Sequence, residues 1–513
     1  MTQEVLRAQL DTARTRIATA LKWGAGRVGM PAMLTLLAFT LATCKKPPNV
    51  PQPLGAPSLQ SPAEDTTLRD NHPTLTWSSV SGAKSYEVSV DGPTFFSEST
   101  ASPECHLNCI NYDTGHGPLP DGDYTWKVQA FDSAGRAGDW SGDGRFRVRT
   151  VKWVFPMPVG YGKVSGPTLG PDGTVYAVLA PPWGTRKWSY LLVAINDDGT
   201  QKWQRELSSD TSILGAGDFG NPFVGPDGTI YVSCQHSPDS IFVELVAVRP
   251  DGSIAWRHYA RGGCGVRAIG ADGSVYCGSW SGYVQCVNGD GTTRWTGPDA
   301  HGGTSIAIGA DGIIYCIDAG SAGTEISALS PTGGLIWSFS DPNVYYRVAI
   351  TANGNIVVAG TQVALVSPSG AVQWRRQCGS ENALTCDSSI IYVQDTDGSC
   401  ALREEDGTEL WSSDTLIPCS PEAIASNLGP LYASGASGLY ELALDGSAIG
   451  EYFSYTGEYI IGDDGTVYAG HGVGSGWEGD SPYLVALYGH AVPDIKHGWP
   501  MDDHDPQRTR RAR

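Results

Sequence analysis

Five near-identical stretches constrain this chain more than anything else in it. GPDGTVYAV begins at residue 170, GPDGTIYVS at 225, GADGSVYCG at 270, GADGIIYCI at 309 and GDDGTVYAG at 462. Asp-Gly supplies the positive φ that a tight hairpin turn requires, and the alternating apolar residues after it read as a strand. Each copy opens with a few apolar residues before this turn. It continues with a second strand (LLVAIN, ELVAVR, YVQCVN, EISALS, QVALVS), another Gly turn and a strand carrying tryptophan. The first turn centres near residues 172, 227, 272, 311, 353, 387, 428 and 464, which predicts eight copies. Trp203, Trp256, Trp295, Trp337, Trp374 and Trp411 keep step with them, at spacings of 53, 39, 42, 37 and 37.

A period near 40 with four short strands per unit predicts an all-β fold, a β-propeller over 151–513. Eight blades is the expectation and seven the alternative. VKWVF at 151–155 adds Trp153 ahead of the first repeat and is predicted to complete the eighth blade beside YLVALYG, joining the two ends of the chain. The tail GWPMDDHDPQRT competes for this closure or extends it. In each unit the Asp-Gly makes a hairpin, the Val and Tyr fill the seams between blades, and the Trp fills the wedge far from the axis. These are structural duties, and none needs a ligand.

Ahead of the repeat, residues 31–43 (PAMLTLLAFTLAT) carry no charge, follow five basic residues and end at Cys44. The run has the length of a signal-peptide core and is short of the roughly 20 residues that span a bilayer. LATC resembles a bacterial lipobox, although Thr43 departs from the usual small residue before the cysteine. The resemblance implies diacylation of Cys44 and a signal peptide over 1–44. Residues 45–66 are proline-rich and read as a tether. Lipid anchor and tether together predict export and a place at the outer membrane or cell surface, otherwise periplasmic or extracellular. The formal net charge of −20 becomes −23 without the +3 of residues 1–43. A surface so acidic repels phosphate backbones and excludes nucleic acid as a partner.

Residues 67–150 predict a small β-sandwich in which Trp77 and Trp126 pack across two sheets. GAKSYEVSV and DGDYTWKVQAFDSAGRAGDWS resemble the corresponding strands of bacterial fibronectin type III modules. The repeat resembles the Trp-docked, pyrroloquinoline-quinone-type propeller family through LLVAINDDGTQKW, LVAVRPDGSIAW, YVQCVNGDGTTRW, ISALSPTGGLIW and CALREEDGTELW, and the tail through WPMDDHDPQRT. This family hosts both quinone dehydrogenases and non-catalytic envelope scaffolds, some of them in outer-membrane protein assembly, so the likeness implies a fold more than an activity.

The chemistry points away from catalysis. There is no Cys-Cys pair of the kind the quinone enzymes use, and no GxSxG, HExxH or phosphate loop. DTDGS at 395 and NGDGT at 288 come nearest to calcium loops but lack the later acidic ligands. His258, His301 and His471 are expected in loops without partners. Arg267 and Arg347 lie before inner strands, within reach of the channel mouth. No catalytic, cofactor or metal residue is therefore assigned. Among the cysteines, Cys105 and Cys109 in CHLNC predict a local disulfide. A two-residue Ser281-Gly282 turn would set Cys277 opposite Cys286 for a cross-strand bridge, with buried thiols as the alternative, and Cys378 with Cys419 is a third pairing.

The expected function is a monomeric, non-catalytic envelope lipoprotein whose propeller binds protein or glycan. A secreted quinone-dependent dehydrogenase or polysaccharide-active enzyme is the alternative, and a sensor or adhesion module a third reading. The anchor is tested by labelling with a palmitate analogue. The label is expected on the wild type and lost in Cys44→Ala, and membrane retention unchanged in that variant would refute the anchor.

Overall fold

In the computed structural model, the described residues run from 54 to 489, apart from 70, 72, 107–118, 182–189, 208–219, 236–241, 262–264, 279–282, 298–304, 321–322, 378–383, 387–388, 396–397, 413–418, 425–430, 436–437, 444, 447, 454–458 and 472–482. The lipobox with Cys44, residues 45–53 of the tether, Cys109, Cys378, His301 and the WPMDDHDPQRT tail lie outside them. Every regular element among the described residues is a strand.

Residues 54–148 form two facing sheets, so part of the expected 45–66 tether belongs to the sandwich: Leu59–Ser61 pairs with Thr74–Trp77, and Thr66–Leu68 with Gly144–Val148. The smaller contains Thr74–Trp77 and the larger Ser85–Asp91 and Gly122–Phe131, whose inward positions alternate with outward ones. Trp77 and Trp126, from opposite sheets, share one core with Tyr86, Tyr124 and Phe146. The Tyr124 hydroxyl donates to the carbonyl of Pro120 at 2.7 Å, the geometry of a tyrosine corner.

Among the described residues the rest of the chain builds eight antiparallel sheets, seven of four strands and the first of five, and all but the last are meanders of consecutive strands. Blade 1 ends in Val175–Ala180, Leu191–Ile195 and Gln201–Glu206, and its innermost strand is in two pieces, Lys163–Val164 and Thr168–Leu169. Blades 2 to 7 begin at Phe223–Val224, Gly265–Ile269, Ser305–Ile308, Tyr345–Ile350, Leu384–Cys386 and Cys419–Ile424. Blade 8 combines Tyr459–Ile461, Val467–His471 and Tyr483–Leu487 with Val151–Pro156, so the two ends of the propeller chain meet in one sheet. Innermost strands pack on one another from blade to blade, and Lys163–Val164 packs on Val467–His471 to close the ring. A strand such as Val175–Ala180 is buried along its whole length because both of its faces meet another blade.

What joins blade to blade is a repeated dock. The indole Nε1 of Trp153 donates to the Asp197 carbonyl of the next blade at 2.8 Å. Trp203 does the same to Pro250, Trp256 to Gly289, Trp295 to Pro331, Trp337 to Pro368 and Trp374 to Glu404, at 2.7–3.0 Å. Each ring lies against a glycine of positive φ in the turn between the third and fourth strands of that next blade: Gly199, Gly252, Gly291, Gly333, Gly370 and Gly407, with Gly446 beneath Trp411. On its own blade, each of Trp153, Trp203, Trp256, Trp295, Trp337 and Trp411 meets a tyrosine, as in Tyr176–Trp203 at 5.8 Å between centroids. The glycine is required twice over, by its left-handed backbone and by the indole where a Cβ would go.

Two cysteine expectations are corrected. Cys277 pairs with Gln285, and Cys286 with Tyr276, one residue out of the register that would set the two thiols opposite each other. A one-residue slip turns a side chain to the other face of the sheet. Cys277 accordingly packs in the core between blades 2 and 3, and Cys286 in the core between blades 3 and 4. Cys105 is a thiol rather than half of a disulfide. Its strand Glu104–His106 turns it into the sandwich core, where Sγ donates to Glu98 at 3.4 Å; burial, with Glu98 beside it, pushes the thiol up to about 12. Cys400 is disulfide-bonded.

Blade 3 isolates the contribution of the dock. Gly273 and Gly291 both have positive φ, +77° and +87°, but a Cβ at Gly273 meets nothing within 4 Å, whereas at Gly291 it would lie 2.8 Å from the Trp256 ring. Gly273→Ala is expected to cost about 1 kcal/mol of backbone strain. Gly291→Ala adds an overpacking cost of about 1–3 kcal/mol. Urea midpoints of the two variants measure the difference.

Candidate binding face

An antiparallel meander gives the ring two unlike faces. Turns from first to second strand and from third to fourth strand fall on one of them, the turn face. The hairpins from second to third strand, and the connectors to the next blade, fall on the other, the loop face.

The five repeated Asp-Gly stretches all lie on the turn face, where their carboxylates are already engaged. Asp172 Oδ1 accepts from the Thr174 N–H at 3.1 Å, and Asp227, Asp272, Asp311 and Asp464 cap Thr229, Ser274, Ile313 and Thr466 in the same way. The residue before the docking Trp reaches the same carboxylate in three blades: Lys202 to Asp172 and Arg294 to Asp272 at 2.8 Å, Lys152 to Asp464 at 3.3 Å. Asp290, in the NGDGT stretch, caps Thr292 through its N–H at 2.9 Å. Blade 5 has Thr351-Ala-Asn-Gly-Asn355 in place of the Asp-Gly stretch. There the buried Glu404 of blade 6 accepts from Thr351 Oγ1 at 2.6 Å and from the amides of Asn353 and Asn355 at 2.9 Å. Its main-chain carbonyl meanwhile receives Trp374. Sequence reasoning missed this clasp, because Glu404 lies 49 to 53 residues from its partners.

On the loop face the described surface is centred on blades 4 and 5, and the segments 182–189, 208–219 and 472–482 lie outside the described residues. The connector from Asp341 to Tyr345 is wedged between two hairpins. Gly323 and Gly360 leave no room for a Cβ against the Asp341 and Val344 carbonyls. Asp341 is 2% exposed and accepts from the Asn343 N–H at 3.0 Å and side-chain amide at 2.7 Å, and from Arg375 Nε at 3.1 Å and Nη2 at 2.7 Å. Burial works against its charge, but the Asn343 and Arg375 bonds outweigh it and hold the carboxyl below the usual carboxylate range. Val344 O accepts from Thr361 N at 2.9 Å, Tyr345 N donates to Thr324 Oγ1 at 2.8 Å, and Gln362 Nε2 donates to Gln377 Oε1 at 2.9 Å. In blade 2 the fully buried Glu244 pairs with Arg257 at 2.9 Å, and Arg257 Nη2 donates to the Leu207 carbonyl at 2.6 Å, fastening the connector that leaves blade 1.

Arg267 and Arg347 lie within innermost strands rather than before them, each beside a β-bulge and half-buried. His258, expected in a loop, sits on the outer strand Ile254–Arg261 with Nδ1 3.0 Å from the Gly291 carbonyl of blade 3. His471 ends a strand of blade 8, and its side chain lies outside the described residues. Among the described residues no three His, Cys, Asp or Glu side chains are grouped to hold a metal. Among the described residues of blades 4 and 5, the loop face presents amides, hydroxyls and carbonyls around the Asp341–Arg375 pair, groups suited to hydrogen-bonded recognition.

The turn-face carboxylates give the ring an acid limit. Burial opposes the charge of Asp272, but the Ser274 and Arg294 bonds outweigh it and bring the carboxyl to about 2. Asp172 and Asp464 are lowered in the same direction, burial again opposed by bonds to Lys202 and Thr174 in one case and to Thr466 and Lys152 in the other. A carboxyl depressed in the folded state stabilises it above the unfolded value of about 4, and that contribution is lost as pH falls toward the folded value. Urea midpoints are expected to fall between pH 4 and about 2, less steeply in Asp272→Asn, which starts from a lower midpoint at pH 7.

A curated protein of Yersinia pestis, outer membrane protein assembly factor BamB, is 27% identical over 295 residues, covering 52% of this chain and 74% of the relative. The crystal structure of BamB from Moraxella catarrhalis is similar with a TM-score of 0.48 at 14% identity, covering 66% of this chain and 99% of that one. Virginiamycin B lyase from Staphylococcus aureus is similar with a TM-score of 0.41 at 10% identity, covering 55% of this chain and 94% of that one. Residues 322–440, from blade 4 into blade 7, match the PQQ-like repeat family described as outer membrane protein assembly factor BamB.

Proposed function

We propose that this chain is a non-catalytic, protein-binding scaffold of the bacterial cell envelope that serves outer-membrane protein assembly through the loop face of its propeller. The observation that carries the reading is the division of labour between the faces. The aspartate before the turn glycine is spent on turn geometry in all five repeated stretches, and the loop face keeps hydrogen-bonding groups at Asp341–Tyr345, Thr361 and Gln377. The BamB relative supports the choice of process. The lipobox-like Cys44 supports a lipid anchor, and a disulfide at Cys400 is in keeping with an oxidising compartment. In this reading the sandwich is a fibronectin type III-like spacer, the protein works as a monomer and no cofactor takes part.

Photo-crosslinking from two exposed positions of blade 5 tests the proposal, Gln377 at the loop face and Ala352 at the turn face. In envelope preparations a crosslinker at Gln377 is expected to capture a protein of the outer-membrane assembly machinery, and one at Ala352 is not. Capture from Ala352 alone, capture of glycan only, or turnover of alcohols or sugars with added quinone and calcium would overturn it.

A further inference from the structure

Blade 8 differs from the other seven in one respect. In blades 1 to 7 the third and fourth strands are consecutive in the chain, joined by a short turn. Blades 1, 2, 3 and 6 cap that turn with an aspartate: Asp198, Asp251, Asp290 and Asp406 accept from the N–H of Thr200, Ser253, Thr292 and Thr408 at 2.8–2.9 Å. In blades 1 and 3 the same oxygen also takes the threonine hydroxyl at 2.6 Å. The Trp of the preceding blade then lies on the turn glycine. In blade 8 the third strand ends at Leu487 and the fourth begins at Val151, from opposite ends of the propeller chain. No turn can join them, and the outer strand of blade 7, Ala448–Phe453, carries no Trp to dock there.

The sandwich occupies this gap. Asp121, in its Leu119-Pro-Asp-Gly122 turn, accepts from the Thr150 N–H at 2.6 Å and the Thr150 hydroxyl at 2.8 Å through one oxygen, and from the Val151 N–H at 3.2 Å through the other. The local sequence repeats the pattern of the covalent turns: Thr150-Val-Lys-Trp153 stands where Thr200-Gln-Lys-Trp203 and Thr292-Thr-Arg-Trp295 stand in blades 1 and 3. On the other strand Tyr488 N donates to the Thr150 carbonyl at 2.8 Å, and the Arg69 guanidinium lies 3.9 Å over the Tyr488 ring while Nη1 donates to the Arg149 carbonyl at 3.2 Å. Thr150 is buried beneath these groups.

We propose that the sandwich supplies in trans the missing turn of blade 8, with Asp121 as its capping aspartate and Arg69 as the cover in place of an indole. The two domains then open as one unit, and the sandwich is the latch of the ring.

Hydrogen–deuterium exchange on the full chain tests this. In Asp121→Ala, and separately in Arg69→Ala, amides of Val151–Pro156 and of Tyr483–Leu487 are expected to exchange roughly fivefold faster, while those of the sandwich strand Gly122–Phe131 keep their protection. Glu87→Ala, which removes the carboxylate that accepts from Ser97 within the sandwich, controls for changes at the sandwich surface and is expected to leave both closing strands unchanged. Unchanged exchange of Tyr483–Leu487 in both variants, or separate thermal transitions of the two domains in the wild type, would overturn the latch.

Discussion

The indole laid on a glycine is the contact on which this ring depends. A blade alone is a small four-stranded sheet with two apolar faces, and it is stable only between two others. Apolar packing between blades is not directional, and it tolerates sliding. The Trp Nε1–H bond, worth about 1 kcal/mol net, adds a fixed point at the outer rim of each docked seam. The positive-φ glycine beneath it sets how closely one blade approaches the next. Because the glycine belongs to a turn, the dock also ties strand pairing within one blade to packing between two.

Much of this was legible in the sequence, for physical reasons. Asp-Gly and Trp at a steady period betray turns and docks because their chemistry is local, so the positions of Trp153 through Trp411 could be read without any knowledge of distant contacts. The pairing of the chain ends in blade 8 was legible too, since VKWVF has the form of an outer strand with no inner strands before it. The cysteines were not. Whether Cys277 faces Cys286 depends on one residue of hairpin length, and turn propensity is too coarse to resolve it. Nor was the Glu404 clasp or the Asp341–Arg375 pair legible, because each joins elements far apart in sequence and neither leaves a spacing to detect.

Blade 5 shows how the same structural problem admits two solutions. The other first turns with a described cap use an aspartate two residues before the N–H it accepts. Blade 5 uses asparagines and threonine that donate to a glutamate on the following blade. The local solution stabilises the hairpin alone, whereas the distant one stabilises the hairpin only when the neighbour is in place. Blades 5 and 6 are therefore tied through the first turn of blade 5 as well as through the Trp374 dock, a link invisible in backbone topology.

The docks all point the same way round. Each indole reaches forward to the turn of the next blade, so each of blades 1 to 6 carries one donor and one receptor, and the series runs from Trp153 in blade 8 to Gly446 in blade 7. A unit copied within the array would bring both parts with it and satisfy its neighbours on each side without any new contact. The number of blades is then set by curvature rather than by pairwise chemistry. The ends are the exception, since the surfaces that meet there cannot be produced by copying a repeat, and a lineage of such rings can lengthen anywhere except at its seam.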